Sequence, residues 1–341
     1  MRVSNLAFTV LIALILAFAL GMACDDDDDD AIDDDSADDD VADDSGDDDD
    51  TNPDPPPSDN PTGLPIDFYY SGGELFVLFN DFQQAELASG VGVFQELENG
   101  LWEKRAYLSE NQIPGGLEFP HTLDVTELGN YLISDSDQAR AIEVTANGEI
   151  AWEFQTNNFT NEALETGSGN RLLTVGNQLW LVDIGGDVIW EVSPVADGLL
   201  HHGQLLANGN LLVTTTELVT EAGQVLEMTT AGELVWQFQS PELIWPRNAW
   251  RLDNGNTVIA HKLGIWEVNP SGEIVWEIFS DAAVYNIQLI DNGWIIAVVG
   301  PDIVWMDETG QIQKTFSWQD EPQGPLSQEV RDLLSSHPYL R

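Results

Sequence analysis

A turn glycine recurs along this chain at Gly129, Gly169, Gly209, Gly255 and Gly293, at intervals of 40, 40, 46 and 38 residues. Each is followed by a second recurring run. These read G-E-I-A-W-E-F at 148–154, G-D-V-I-W-E-V at 186–192, G-E-L-V-W-Q-F at 232–238, G-E-I-V-W-E-I at 272–278 and, more weakly, G-Q-I-Q-K-T-F at 310–316. In the fullest copy, 247–278, the apolar runs are parted by Asp253-Asn254-Gly255-Asn256 and Asn269-Pro270-Ser271-Gly272. Asn and Gly tolerate the positive φ of tight turns, so these are hairpin signals. The runs themselves alternate or are β-branched and read as strands. Four antiparallel strands in about forty residues is the size of one propeller blade. An irregular first copy covers roughly 64–107, with its turn at Ser71-Gly72-Gly73 and a tryptophan at Trp102. A single four-stranded sheet cannot cover both of its faces. Six copies must therefore stack, and a ring leaves only short, protected edges. The expected fold is all-β, a six-bladed β-propeller with four-stranded blades starting near Thr62, Phe119, Phe159, Leu199, Trp245 and Ala283. Trp102, Trp152, Trp190, Trp236 and Trp276 read as one repeat position given over to packing between blades.

Eight residues before each turn glycine, at the start of the innermost strand, stand His121, Asn161, His201, Arg247 and Tyr285. The next position holds Thr122, Glu162, His202, Asn248 and Asn286. Inner strands converge on the central channel, so distant stretches of sequence deliver these side chains to one mouth. His261, at the end of a second strand, and Arg140, just after a second-to-third strand turn, are expected on the same face. Arg247 is the most telling member. In a strongly acidic domain, a guanidinium at the mouth suits sulfate, phosphate or carboxylate, because its planar fork matches their oxygens. His121, His201 and His202 could gather around a metal. However, neighbours on a strand point to opposite faces, so no metal site is expected, and no cofactor is implied. The sequence contains no G-x-x-x-x-G-K-[ST] loop, no G-x-S-x-G elbow and no H-E-x-x-H pair.

The 341 residues divide into four segments: a lipoprotein-type signal peptide (1–23), a disordered Asp/Pro-rich tether (24–61), the propeller (62–318) and a helical tail (319–341). Arg2 and the apolar run 6–20 form an n-region and an h-region, the latter short for a membrane span. Leu20-Gly21-Met22-Ala23-Cys24 resembles the lipobox of bacterial lipoproteins, with the leucine one place early. Lipidation at Cys24 would hold the chain in the bacterial cell envelope, on the periplasmic or the cell-surface side. Gly21-Met22-Ala23 also suits an ordinary signal peptidase, which would leave Cys24 unlipidated. The tether carries 20 of the chain's 60 acidic residues. It can bury no core, and its self-repulsion makes it an extended stalk reaching at most roughly 120 Å. A formal net charge of -49 argues against nucleic acid as a partner and favours solubility. In the tail, Pro325 precedes Leu326, Val330, Leu333 and Leu334 at helical spacing.

The ring and its turns resemble the bacterial arylsulfate sulfotransferases, whose shared pattern is H-x-x-x-x-L-x-N-G-N-x-L-[IV] followed by G-E-I-x-W-E. Here it stands at His201 to Asn210 and at His121 to Asn130. The resemblance covers the propeller only; the family's N-terminal β-domain is replaced by the acidic tether. It implies sulfuryl transfer from a phenolic sulfate to a phenol through an N-sulfohistidine. His201 would be the nucleophile, His121 and His202 its helpers, and Arg247 or Arg140 the anion clamp, with Asn248, His261 and Tyr285 as further anion contacts. The partner would then be a small aryl sulfate, a phenol or another small oxyanion in the channel. The alternative, from a different class, is a non-catalytic binding or scaffold lipoprotein with a protein partner. Cys24→Ser should release the protein from the membrane fraction; unchanged membrane retention would contradict a lipid anchor at that residue.

Overall fold

The computed structural model describes residues 64–80, 89–194, 198–280, 282–290, 293–307, 309–319 and 321–322. The signal segment, Cys24, the tether and the expected tail helix lie outside the described residues. The rest is a six-bladed β-propeller. Six antiparallel sheets, each made of four consecutive strands, span 64–109, 120–155, 160–192, 199–244, 248–279 and 284–319, here blades 1 to 6. Blade 6 gains a two-residue fifth strand, Glu321–Pro322. The first strands of neighbouring blades touch around the central channel, and the first strand of blade 6 touches that of blade 1.

The turn glycines sit where the repeat places them. Gly129 and Gly209 have φ of 77° and 84°, a conformation that a side chain would strain. Six clusters of buried apolar residues lie between consecutive blades, one per interface. Trp152, Trp190, Trp236 and Trp276 each face the following blade. Trp102 departs from the expected pattern. It stands two residues after its turn glycine rather than four, and it packs on blade 6, stacked on Trp305 with ring centroids 5.4 Å apart. The residue four after Gly310 is Lys314. Its ammonium fills the tryptophan slot, 4.2 Å from the Trp305 ring, 4.5 Å from Trp102 and 5.0 Å from Tyr70, and it pairs with Glu96 at 2.6 Å.

Neighbouring inner strands do not pair as a sheet, so part of their backbone polarity must be met by side chains. Each blade supplies them to the next. The N–H of Leu123 donates to Asp67 (2.7 Å), that of Ala163 to Thr122 (3.1 Å), that of Glu165 to Asp124 (2.8 Å), that of Gly203 to Glu162 (2.7 Å) and that of Arg251 to Gln204 (2.9 Å). Between blades 5 and 6 the Trp250 indole donates to the Ile287 carbonyl. At the closure Gln288 does both jobs, accepting from the Tyr70 N–H and donating to the Tyr70 carbonyl, each at 2.8 Å. Ring closure therefore uses side chains of blade 6 on blade 1 rather than a strand from one end of the chain in the sheet of the other. Gln288→Leu leaves both Tyr70 groups without these partners and should cost about 1–3 kcal/mol in urea unfolding. Gln311→Leu, on an exposed turn of the same blade, should cost under about 0.5 kcal/mol; equal effects would contradict a closure role for Gln288.

Candidate functional site

The inner strands carry a recurrent irregularity. Their pairing with the second strand slips at Ile66, His121, Asn161 and His201, and again across Tyr285 and Asn286. Such a bulge leaves one residue outside the ladder and re-aims its side chain. In blade 5 the strand begins only at Asn248, with Arg247 just ahead of it and its N–H on the Ala260 carbonyl. The six residues Ile66, His121, Asn161, His201, Arg247 and Tyr285 form an upper tier around one cavity. A lower tier comes from the following positions, with Asp67, Thr122, Glu162, Asn248 and Asn286 on the wall. The cavity holds about 720 Å³ of empty space, open solvent at its mouth included.

Arg247 dominates the electrostatics of the upper tier. Arg105, Arg140, Arg171, Arg251, Lys262 and Lys314 each ion-pair with a carboxylate; Arg247, among the described residues, does not. Its guanidinium lies 4.8 Å from the Trp245 ring and 5.8 Å from the Tyr285 ring, with one nitrogen 3.4 Å from His201 Nδ1. Arginine can only donate, so His201 Nδ1 is the acceptor there and Nε2–H donates to the Thr216 hydroxyl at 3.1 Å. Burial, then the Arg247 and His121 charges, hold His201 well below the usual imidazole pKa. Burial and Arg247 bring His121 down to about 3. Both imidazoles are neutral at neutral pH. His121 Nε2 and the Tyr285 hydroxyl are buried with no hydrogen-bond partner among the described residues.

Two aromatic residues hold this tier under strain. Phe119 and Trp245 have φ of 61° and 48°, rare for bulky side chains, and each stands two residues before an upper-tier residue. The Phe119 ring lies 4.9 Å from His121, and Trp245 lies 5.3 Å from His201. Such conformations cost about 1–3 kcal/mol each and cluster where a site is being shaped.

Other expected site residues lie elsewhere. His202 is fully buried beside the cavity wall, its Nδ1 2.5 Å from Glu162 and 3.2 Å from Asn248, its ring against Trp250. Arg140 does not line the cavity. Its guanidinium is taken by Asp135 (2.9 Å), Glu153 (3.0 Å) and the Gly116 carbonyl (2.6 Å), which makes it a blade staple. His261 is also away from the cavity wall, fully buried with its ring 4.3 Å from Trp266 and neither nitrogen bonded among the described residues. Adjacency to a strand end fixed neither side chain's direction.

The lower tier adds Asp67, which counting back from the glycines passed over, and Glu162, which the count reached without giving it a role. Asp67 accepts from the Leu123 and Phe68 N–H groups and from the Asn286 amide. Burial pushes its carboxyl up to about 7, against those bonds, and the Glu162 charge adds to the rise. Glu162 accepts from Gly203 N–H and contacts His202. The first copy turns through Gly72-Gly73 with Ser71 facing Glu74, tighter than the later turns, so a count of eight misses Ile66 and Asp67. The acceptor role of position seven was legible only once the blades were in register. Among the described residues no group of three or more His, Cys, Asp or Glu side chains is arranged to hold a metal.

No protein-family model matches this sequence, and no curated protein is similar to it. Solved structures are similar in fold. A catalytically inactive virginiamycin B lyase from Staphylococcus aureus with quinupristin is 14% identical, covering 77% of this chain and 87% of that one, with a TM-score of 0.54. The WD40 β-propeller domain of Doa1 is 12% identical over 76% and 95%, with a TM-score of 0.53. Regucalcin from Agrobacterium tumefaciens, a calcium-binding protein, is 13% identical over 59% and 75%, with a TM-score of 0.50. At such identities the likeness defines the class, a β-propeller, and nothing finer.

The buried His261 carries a pH consequence. Its pKa is lowered to about 4 by burial, so between about 4 and 6.5 the unfolded chain binds more protons than the fold, and stability falls as pH drops through that window. His261→Phe removes two unbonded nitrogens and this penalty. It should stabilise by about 1–3 kcal/mol, more at pH 5 than at pH 8, in urea unfolding. Equal or lower stability at both pH values would contradict this reading of His261.

Proposed function

We propose that this propeller is an envelope-displayed binding protein whose channel mouth receives a small organic oxyanion, with Arg247 as its receptor. One observation carries the reading: among the described residues, a guanidinium without a carboxylate partner, in a cavity where other polar groups also lack partners. A buried charge left without a counter-ion is costly, and the cost falls when a ligand supplies the missing one. A carboxylate, sulfate or phosphate monoester fits the fork in bidentate fashion. Neutral His121 and the Tyr285 hydroxyl add donors without adding charge. The acidic remainder of the chain disfavours long anions such as nucleic acid. Export through 1–23 and a lipid at Cys24 belong to the same proposal, with the acidic stalk lifting the binding domain from the membrane.

Sulfuryl transfer, which the family resemblance implies, is the second reading. One observation favours it: His121 and His201 are neutral near a guanidinium, the protonation state in which an imidazole nitrogen attacks sulfur. A bond from nitrogen to sulfur would form as the sulfur–aryl oxygen bond breaks and the phenolate leaves. His201 has its Nδ1 lone pair facing Arg247 and its Nε2 on Thr216, and His202 is engaged by Glu162. His121, whose Nε2 has no partner among the described residues, therefore fits the nucleophile's part better than His201.

Calorimetry with benzoate and with 4-nitrophenyl sulfate, alongside an assay for nitrophenolate release as the sulfuryl group passes to an acceptor phenol, separates the readings. Binding of both anions that weakens at least tenfold in Arg247→Ala, about 1.5–3 kcal/mol for a lost charged hydrogen bond, with no release, supports the binding protein. Release that is lost in His121→Ala supports the transferase. Wild-type protein that binds neither anion contradicts both.

A further inference from the structure

The cavity is bipolar. Its upper tier presents a cation with no carboxylate, and its lower tier presents two carboxylates with no cation. Asp67 and Glu162 both line the wall, and among the described residues neither pairs with a lysine or arginine. Their oxygens accept from backbone N–H groups, an asparagine amide and an imidazole, which leave acceptor capacity toward the cavity. Arg247 lines the same cavity one position earlier in the repeat, yet it meets neither carboxylate. Opposite charges held apart around a shared small space attract a solute that carries the complement of each.

We propose that the ligand is a zwitterion of the α-amino acid class, its carboxylate on Arg247 in the upper tier and its ammonium on Asp67 and Glu162 in the lower. The proposal rests on the oxyanion reading above and extends it to the other end of the ligand. Consecutive residues of a strand advance by about 3.3 Å, and Arg247, Asp67 and Glu162 line one cavity from adjacent positions of the repeat. The remaining unsatisfied groups fit this polarity. The Tyr285 hydroxyl, a donor, is in the upper tier with the guanidinium, and Asn248 Oδ1, an acceptor, is in the lower tier with the carboxylates; both are buried without partners among the described residues. A simple anion would satisfy only the upper set and would place its remainder against two carboxylates. Burial pushes the Asp67 carboxyl up to about 7, and an ammonium beside it favours the ionised form, the proton passing to solvent, so the ligand strengthens its own counter-ion.

Recognition of both ends also gives selectivity. An amine lacking the carboxylate leaves Arg247 unpaired, and an acid lacking the ammonium leaves the lower tier unpaired. Rejection of analogues that lack a bonded group is characteristic of sites built from buried polar residues.

The test is calorimetric titration of the full chain with three matched probes: phenylacetate, phenethylamine and phenylalanine. The proposal expects phenylalanine to bind at least tenfold more tightly than phenylacetate, with phenethylamine the weakest. Asp67→Asn, or Glu162→Gln if the first variant does not fold, should bring phenylalanine down to the level of phenylacetate. Phenylacetate binding as well as or better than phenylalanine overturns the zwitterion and leaves the oxyanion reading standing. A preference for phenylalanine that survives in the folded lower-tier variant overturns the assignment of the ammonium to those carboxylates. Binding of none of the three overturns both readings together.

Discussion

The ring depends on a hydrogen bond that is neither helix nor sheet: a side chain of one inner strand accepting the backbone N–H of the next. Inner strands around a channel cannot pair as a ladder, and a buried donor without a partner is expensive. Asp67, Thr122, Asp124, Glu162, Gln204 and Gln288 meet that need at five of the six interfaces. A side-chain oxygen reaching to the neighbouring strand fixes both the spacing of the blades and their relative height. At the closure the same device operates between residues 218 apart in sequence, and Lys314 in its cage of Tyr70, Trp102 and Trp305 takes over the packing role of a tryptophan.

The candidate site is a by-product of the same strands. Three of the acceptors that bind the next blade, Asp67, Thr122 and Glu162, stand one position after the bulge residues Ile66, His121 and Asn161. Building the ring therefore places a tier of carboxylate and amide groups directly below a tier of freely variable side chains. In this chain the variable tier holds two neutral imidazoles, a tyrosine and an arginine. Cations are scarce, and Arg140, Arg171, Arg251 and Lys314 are spent on stapling blades. Arg247 stands apart because its neighbours are aromatic rings and a histidine rather than acids. Strained Phe119 and Trp245 press against this tier, consistent with backbone strain concentrated where a site is shaped.

The fold was legible in the sequence because its period is carried by residues with little freedom, the positive-φ turn glycines and the aromatic of the closing strand. The channel positions could be counted from those glycines, which is why His121, Asn161, His201, Arg247 and Tyr285 meet at one cavity. Counting failed where local geometry broke the period. The tighter first turn hid Ile66 and Asp67, and the shorter spacing from turn glycine to tryptophan in the first copy put Trp102 on the other neighbour. Side-chain direction was the other blind spot. Arg140 and His261 sit at strand ends near the mouth in sequence terms, but the first is drawn to Asp135 and Glu153 and the second to Trp266. The alternation expected of His201 and His202 did separate them, with the pairing slipping at His201, which faces the cavity, and His202 turned to Glu162.

The account stands on Arg247 being a receptor that waits for an anion. A crystal structure of the protein soaked in 4-bromobenzoate tests this most directly, because bromine marks the ligand by anomalous scattering. The account predicts a bromine peak in the channel mouth and a carboxylate bonded to Arg247, with His121 or Tyr285 within hydrogen-bond reach. A cavity that stays empty at saturating ligand, or an Arg247 already paired with a carboxylate of the chain itself, would contradict it.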